Sequence, residues 1–358
     1  MKQQHQPLPA RRSKPVSAVM VGLLIVILVT LSLGVSFSVG ARSTDLVEVW
    51  QALPHAWAYL LVPGAAEAMP HNDIVLLLAL QRIPRSLLAL IAGVCLGTAG
   101  ALMQGFTRNP LADPGILGVG AGASAAVAIG VALGLIDDSS AYTIPAMIGA
   151  LLVTILLFAL SSRGSISSSP LSFVLAGMAL SALLSAVVNA LVLADFTVLD
   201  ALRHWATGSV AGRDFGVVGI VVGPTMLFLI LGLLLGPGLN LLALGEETAH
   251  SLGLAVRRQQ TLGICAIAGL SAMAVSAAGP VAFIGLAGPH MVRAFVGADY
   301  KRVLPLSGLV GGFLALWADI VGRVIAAPGE LPMGIVLAIF GVPMFIWLVL
   351  RGRIGGNL

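Results

Sequence analysis

Between residues 15 and 41 the chain runs 27 positions without a charged side chain, and stretches of this kind recur along its length. Further charge-free runs cover 86–107, 114–136, 139–162, 164–194, 215–245 and 259–292. A helix needs about 20 apolar residues to cross a bilayer core, whereas a barrel strand needs only about 9–11 in strict alternation. These runs are continuous and helix-long, so the pattern excludes a barrel and predicts an all-α, polytopic membrane protein. The charge content agrees. Only 9% of the 358 residues are charged and mean hydropathy is +1.03, against about a quarter charged in a soluble domain. Such a chain cannot cover a water-facing surface. Its 43 glycines and 19 prolines suit membrane helices, which tolerate both better than soluble ones do.

The first run is longer than the roughly 7–15-residue apolar core of a signal peptide, so it reads as a retained span. The run at 259–292 contains Gly279-Pro280 and divides into segments near 259–278 and 281–296. Two more follow near 304–323 and 331–350, which predicts ten transmembrane helices. An even count puts both termini on one side. With the termini cytoplasmic, 13 of the 19 cations fall on inner segments, as the positive-inside rule requires. The outer side then holds Arg42, Arg82, Arg85, Arg203, Arg213 and Arg323 beside ten carboxylates. The expected layout is an N-terminal cytoplasmic tail (1–15), one ten-helix domain (16–353) with a cytoplasmic loop at 237–258, and a short C-terminal tail (354–358).

No Gly-rich phosphate loop ending in Gly-Lys-Ser/Thr is present, since the only lysines are Lys2, Lys14 and Lys301. Any ATP-driven work therefore needs ATP and magnesium on a separate ATPase subunit. The six histidines show no metal-ligand spacing, so no cofactor or metal is expected on this chain, and no nucleic-acid partner. The stretch from Gly118 to Ala123 mimics a dinucleotide fingerprint but lies inside a span, where it signals close helix packing. Asp319 is the one carboxylate well inside a span, which disfavours an ion-coupled carrier without removing it.

Three motifs carry a functional reading beside a structural one, which for arginines at a helix end is snorkelling to the interface. Arg82-Ile83-Pro84-Arg85 reads as the opening of the second span, with Pro84 in its first turn. Two guanidiniums on the disfavoured side suggest a docking place for carboxylates, which Arg323 would join if the helices meet. In the inner turn Asp113 before Pro114 reads as a helix cap, leaving Asn109 and Leu111 facing the cytoplasm. The loop around Gly245, Glu246, Glu247, Ala249, Leu252 and Gly253 is too apolar at its leucines for simple solvation. It reads as a short helix lying on the bilayer or buried in a partner, with a solvated acidic turn as the plain alternative.

Together with GFTRNPLADPGILG (105–118), GPVAFIGLAGPHMVR (279–293) and Glu330-Leu331-Pro332-Met333-Gly334, these motifs resemble the FecCD family over about 74–353. Members are permease subunits of type II ABC importers for iron chelates and vitamin B12. The resemblance implies a vitamin B12 importer permease-like fold in the bacterial inner membrane, a homodimer, two ATP-binding cassette subunits and a periplasmic substrate-binding protein. It implies that Arg82, Arg85 and Arg323 receive acidic residues of that binding protein. Asn109 and Leu111 would then stand at a cytoplasmic gate, with 165–170 supplying another, and residues from Gly245 to Gly253 would couple to the ATPase. Overall likeness points to haem first, then a ferric siderophore, then vitamin B12. A secondary carrier is the alternative from another class.

Overall fold

The computed structural model describes residues 17–40, 44–62, 72–136, 139–163 and 170–350. Both predicted tails and residues 165–169 of the second gate stretch lie outside them. The described chain is helical throughout: α1 (Ala18–Ser38), α2 (Leu46–Leu61), α3 (Asp73–Thr107), α4 (Val119–Ala132), α5 (Thr143–Arg163), α6 (Pro170–Ala194) and α7 (Phe196–Trp205) come first. Then follow α8 (Phe215–Leu234), α9 (Gly236–Leu242), α10 (Glu246–Ser251), α11 (Val256–Ala278), α12 (Ile284–Val296), α13 (Tyr300–Ile325) and α14 (Met333–Leu350). Each charge-free segment of the sequence overlaps at least one of these helices, and 215–245 covers both α8 and α9. Among the described residues, six helices are long and apolar enough to cross a membrane, and α4, α5 and α14 contribute shorter apolar stretches.

The layering follows from side-chain size. α3, α11 and α13 form the centre, with most of their apolar length buried, while α1 and α6 leave theirs exposed. Water-driven burial cannot select partners in lipid, so the central helices associate through small residues that let backbones touch. Gly93 and Gly97 of α3 rest directly on the backbone of Gly311 and Ser307 in α13, where an added methyl group would collide. A single Gly97→Leu change would force that crossing apart.

The outer end of α3 departs from the sequence reading. Pro84 does not open the helix, which starts more than two turns earlier at Asp73 behind an Asn72 cap. Proline removes one backbone donor, and the helix absorbs the loss in a wide π-turn (Leu78–Arg82) where the Ile83 amide reaches back to the Leu78 carbonyl. Arg82 and Arg85 are thereby carried inside a continuous helix instead of standing at its tip. The outer segment at 42–81, uninformative as sequence, contains α2. Asp45 caps it through the Val47 amide at 2.8 Å. Its buried Val49, Ala52 and Ala56 share one face and pack with Phe37, Val75, Leu78 and Ile83 into a small second core over the outer end of α3.

Candidate functional sites at the two ends of the bundle

α1 ends at Ser38, and its last carbonyls lack helical donors and carry the negative end of the helix dipole. Two arginines supply what is missing. Arg82 Nη1 donates to the carbonyls of Phe37 (2.8 Å) and Ser38 (3.0 Å) and to Thr44 Oγ1 (3.0 Å). Arg323 Nη1 donates to the carbonyls of Ser36 (3.0 Å) and Val39 (2.9 Å), and its Nη2 to Ser36 Oγ at 2.7 Å.

Asp319 sits one turn before Arg323 on α13 and binds two guanidiniums at once. Its Oδ2 lies 3.1 Å from Arg323 Nη2, and its Oδ1 is 2.9 Å from Arg85 Nε and 2.8 Å from Arg85 Nη2. The remaining edge of Arg85 turns outward, where Nη1 meets Glu330 Oε2 at 2.6 Å. Depth separates the two carboxylates: the Asp319 side chain is 1% exposed and that of Glu330 35%. Within this cluster three guanidiniums face two carboxylates, so the outer end carries an excess positive charge in a low-dielectric place.

The structure therefore brings Arg82, Arg85 and Arg323 together, but as buried groups with partners inside the chain. The sequence reading had them as open forks. It passed over Asp319 as a partner, although the i,i+4 spacing of Asp319 and Arg323 was visible, and it quoted Glu330 only as part of a motif.

At the opposite end, α3 stops at Arg108, whose φ of 50° reverses the chain. Asn109 Oδ1 accepts from the Leu111 amide at 3.0 Å and Asp113 Oδ1 from the Gly115 amide at 2.7 Å, so two side-chain turns shape the inner loop. Asn109 and Leu111 are exposed. The loop is tied to α12 by buried Gln104, which donates to the Gly285 carbonyl at 3.2 Å and accepts from Arg293 Nη1 at 2.5 Å.

Nearby, α9 and α10 form the 237–258 loop. Ala249 is fully buried, while Glu246, Glu247, Leu244 and Leu252 are exposed. Gly245, with φ of 111°, and Gly253, with φ of 87°, make the sharp corners at either side. The loop is held by side-chain amides: Gln259 Nε2 donates to the Leu235 carbonyl (2.8 Å), and Asn240 Nδ2 donates to the half-exposed carboxylate of Asp299 at Oδ1 (2.7 Å). Asn240 also accepts from the Tyr300 amide at 2.9 Å, which fastens α9 to the start of α13. Among the described residues no three His, Cys, Asp or Glu side chains converge as metal ligands would.

The profile of the FecCD transport family matches residues 23–351. The chain is 40% identical over 335 residues to the ferric enterobactin transport system permease protein FepD of Escherichia coli (strain K12), covering 94% of this chain and 96% of that one. It is 34% identical to the hemin transport system permease protein HmuU of Yersinia pestis, with 93% and 96% covered. A solved metal-chelate type ABC transporter in an inward-facing conformation superposes with a TM-score of 0.78 at 28% identity, covering 93% of this chain and 99% of that one.

Proposed function

The chain belongs to the FecCD transport family, and from that premise we propose that it forms one half of the path by which an ATP-driven importer moves a ferric chelate from periplasm to cytoplasm. It is an inner-membrane ABC permease subunit and no enzyme. The fuller assembly is our reading: ten spans with both termini cytoplasmic, a second copy of the chain, two ATPase subunits and a substrate-binding protein at the outer face.

The observation that carries this reading is α10. It buries Ala249 and exposes Glu246 and Glu247, with Leu244 and Leu252 exposed at its two ends, an apolar and acidic surface suited to a protein partner. ATP-driven closure of that partner would move α9 and α10, and through Asn240 and Asp299 the inner end of α13. Asn109 and Leu111 occupy the neighbouring inner turn, which suits a cytoplasmic gate. At the outer end, docking proceeds by exchange. Glu330 holds the outward edge of Arg85, and an acidic residue of the loaded binding protein takes its place while Asp319 keeps Arg85 and Arg323 aligned.

On substrate, the likeness to the ferric enterobactin permease tips our reading toward a ferric siderophore, with haem, favoured by the sequence alone, as the other arm. The test is uptake into proteoliposomes holding the chain with its ATPase and binding protein. A ferric catecholate, a ferric hydroxamate, haem and cobalamin are offered in turn, with and without ATP. ATP-dependent accumulation of a ferric catecholate supports the reading. Accumulation driven by an ion gradient without the ATPase would make the chain a secondary carrier.

A further inference from the structure

The bundle holds a cavity of about 1070 Å³, open at the end where α4 finishes and α7 begins, with Ile136, Tyr142, Asp195, Asp200, Trp205 and Arg213 among its walls. This is the end that carries the arginine cluster: the Gly334 amide donates to the Gly208 carbonyl at 3.0 Å, four residues along the chain from Glu330. The size is that of a small-molecule site, at the upper limit of the roughly 300–1,000 Å³ usual for one.

Arg213 is the unusual wall. It is 4% exposed, yet its Nη1 donates only to neutral acceptors, Thr143 Oγ1 at 3.0 Å and the Ser276 carbonyl at 3.1 Å. Among the described residues no carboxylate lies within ion-pair distance of it. Arg85 and Arg323, equally buried, share Asp319. Burial pulls the Arg213 guanidinium down to about 10, which still leaves it charged at neutral pH. A buried cation without a counter-charge is costly, and it persists where something else offsets the cost. Beside it, Trp205 is also 4% exposed, and its indole N–H has no acceptor among the described residues.

The two acidic walls differ in kind. Asp195 accepts from the Thr197 amide (2.8 Å) and hydroxyl (2.7 Å) as the cap of α7, and Asp200 is exposed to water. In water their repulsion of an anion is screened, whereas attraction by recessed Arg213 is not.

We propose that this cavity is an entry subsite for the iron chelate, in which Arg213 receives an anionic chelating oxygen, a carboxylate or a catecholate, of the incoming complex. The inference rests on the importer reading and adds a chemical class to it. A recessed guanidinium at the wall of a concave site fits a small chelate better than the flat face of a protein.

The test uses the chain with its ATPase in lipid nanodiscs, with equilibrium binding of radioiron as ferric citrate, as a ferric tris-catecholate and as a neutral ferric trihydroxamate. The two anionic complexes should bind saturably, about tenfold more weakly to Arg213→Gln and within a few-fold of normal to Arg213→Lys. Ala201→Phe, which fills the cavity from α7 and leaves Arg213 in place, should lose the same binding, so a folding defect in one variant does not decide the matter. Equal binding of neutral and anionic complexes, or binding indifferent to both Arg213→Gln and Ala201→Phe, overturns the proposal. So does an Arg213→Gln protein that binds chelate normally but no longer captures the binding protein, since that assigns Arg213 to docking. ATP-driven uptake by the unaltered complex is run alongside. Absent uptake with intact anion-selective binding would sink the importer reading and leave the subsite standing.

Discussion

The two ends of the bundle are held by opposite means. Outside, three buried guanidiniums, two carboxylates and the carbonyl end of α1 form one charge-assisted network. At the other end, a loop of two short helices hangs on amide hydrogen bonds, one of them to the half-exposed Asp299 carboxylate, and on buried Leu239, Leu242 and Ala249, with Glu246 and Glu247 facing outward. Buried charges are strong only while every partner is present, whereas hydrogen bonds at a half-exposed surface can be remade with water at small cost. The arginine end is thus held rigidly, and the α10 end by contacts that can be remade.

The sharpest way to break this contrast is Asp319→Asn. It leaves Arg85 and Arg323 buried without their shared counter-charge, and a loss of roughly 3–5 kcal/mol is expected. Thermal unfolding in detergent should show a far lower midpoint than any inner-loop variant gives. An unchanged midpoint would mean the outer network carries no more weight than the inner one. Next comes Ala249→Trp, which has no room beneath α10. Co-purification of the ATPase should collapse, while the unfolding midpoint falls by less than in Asp319→Asn, since overpacking costs about 1–3 kcal/mol.

Glu330→Gln sharpens the comparison by its sign. Removing a half-exposed partner of Arg85 should tighten capture of the binding protein a few-fold in a pull-down titration. Weaker capture would show that Glu330 itself is the docking residue. Leu252→Ser, at an exposed position, should weaken ATPase affinity by a few-fold and move stability by no more than about 0.5 kcal/mol.

The smallest effect is one of pH. The Asn240 amide and the Lys301 backbone N–H, with some help from Arg302, hold the Asp299 carboxyl below its ordinary range. A depressed carboxylate contributes stability above its unfolded value of about 3.9 and loses it as pH falls through the folded value. Protection of the Tyr300 amide in hydrogen exchange should therefore be flat above about pH 5 and fade below 4.

Much of the fold was legible because membrane helices announce themselves by charge-free length, and each run from 15–41 to 331–350 overlaps at least one helix. The helix ends were less so. Pro84 reads as a first-turn residue by local rules, and only the packing of α2 over Val75 and Leu78 shows why the helix continues outward past it. The arginines were found by their position on the disfavoured side. Their partners were not, because Asp319 lies 234 residues from Arg85 and no local pattern joins them. Arg213 was counted among the outer cations, but nothing in the sequence around it distinguishes a buried guanidinium held by neutral acceptors from a solvated one. By composition the loop leucines are too apolar for water. What the sequence could not divide was Leu242, buried beneath α9, from Leu244 and Leu252, which face outward.

The π-turn in α3 has a consequence for how this chain tolerates changes of length. Each residue advances a helix by about 100°, so a turn holding one extra residue sets the segment before it out of phase with the segment after it by about that angle. Val75 and Leu78 meet α2 while Arg85 meets α13 because of that offset. Deleting exposed Leu80 or Gln81 would restore a regular helix and swing the α2-facing side away, with every side chain of the second core and the arginine network chemically intact. An insertion would push it the other way. This stretch is a fixed reading frame within the fold, and length variants should be admitted on the outer side of α2 long before they are admitted here.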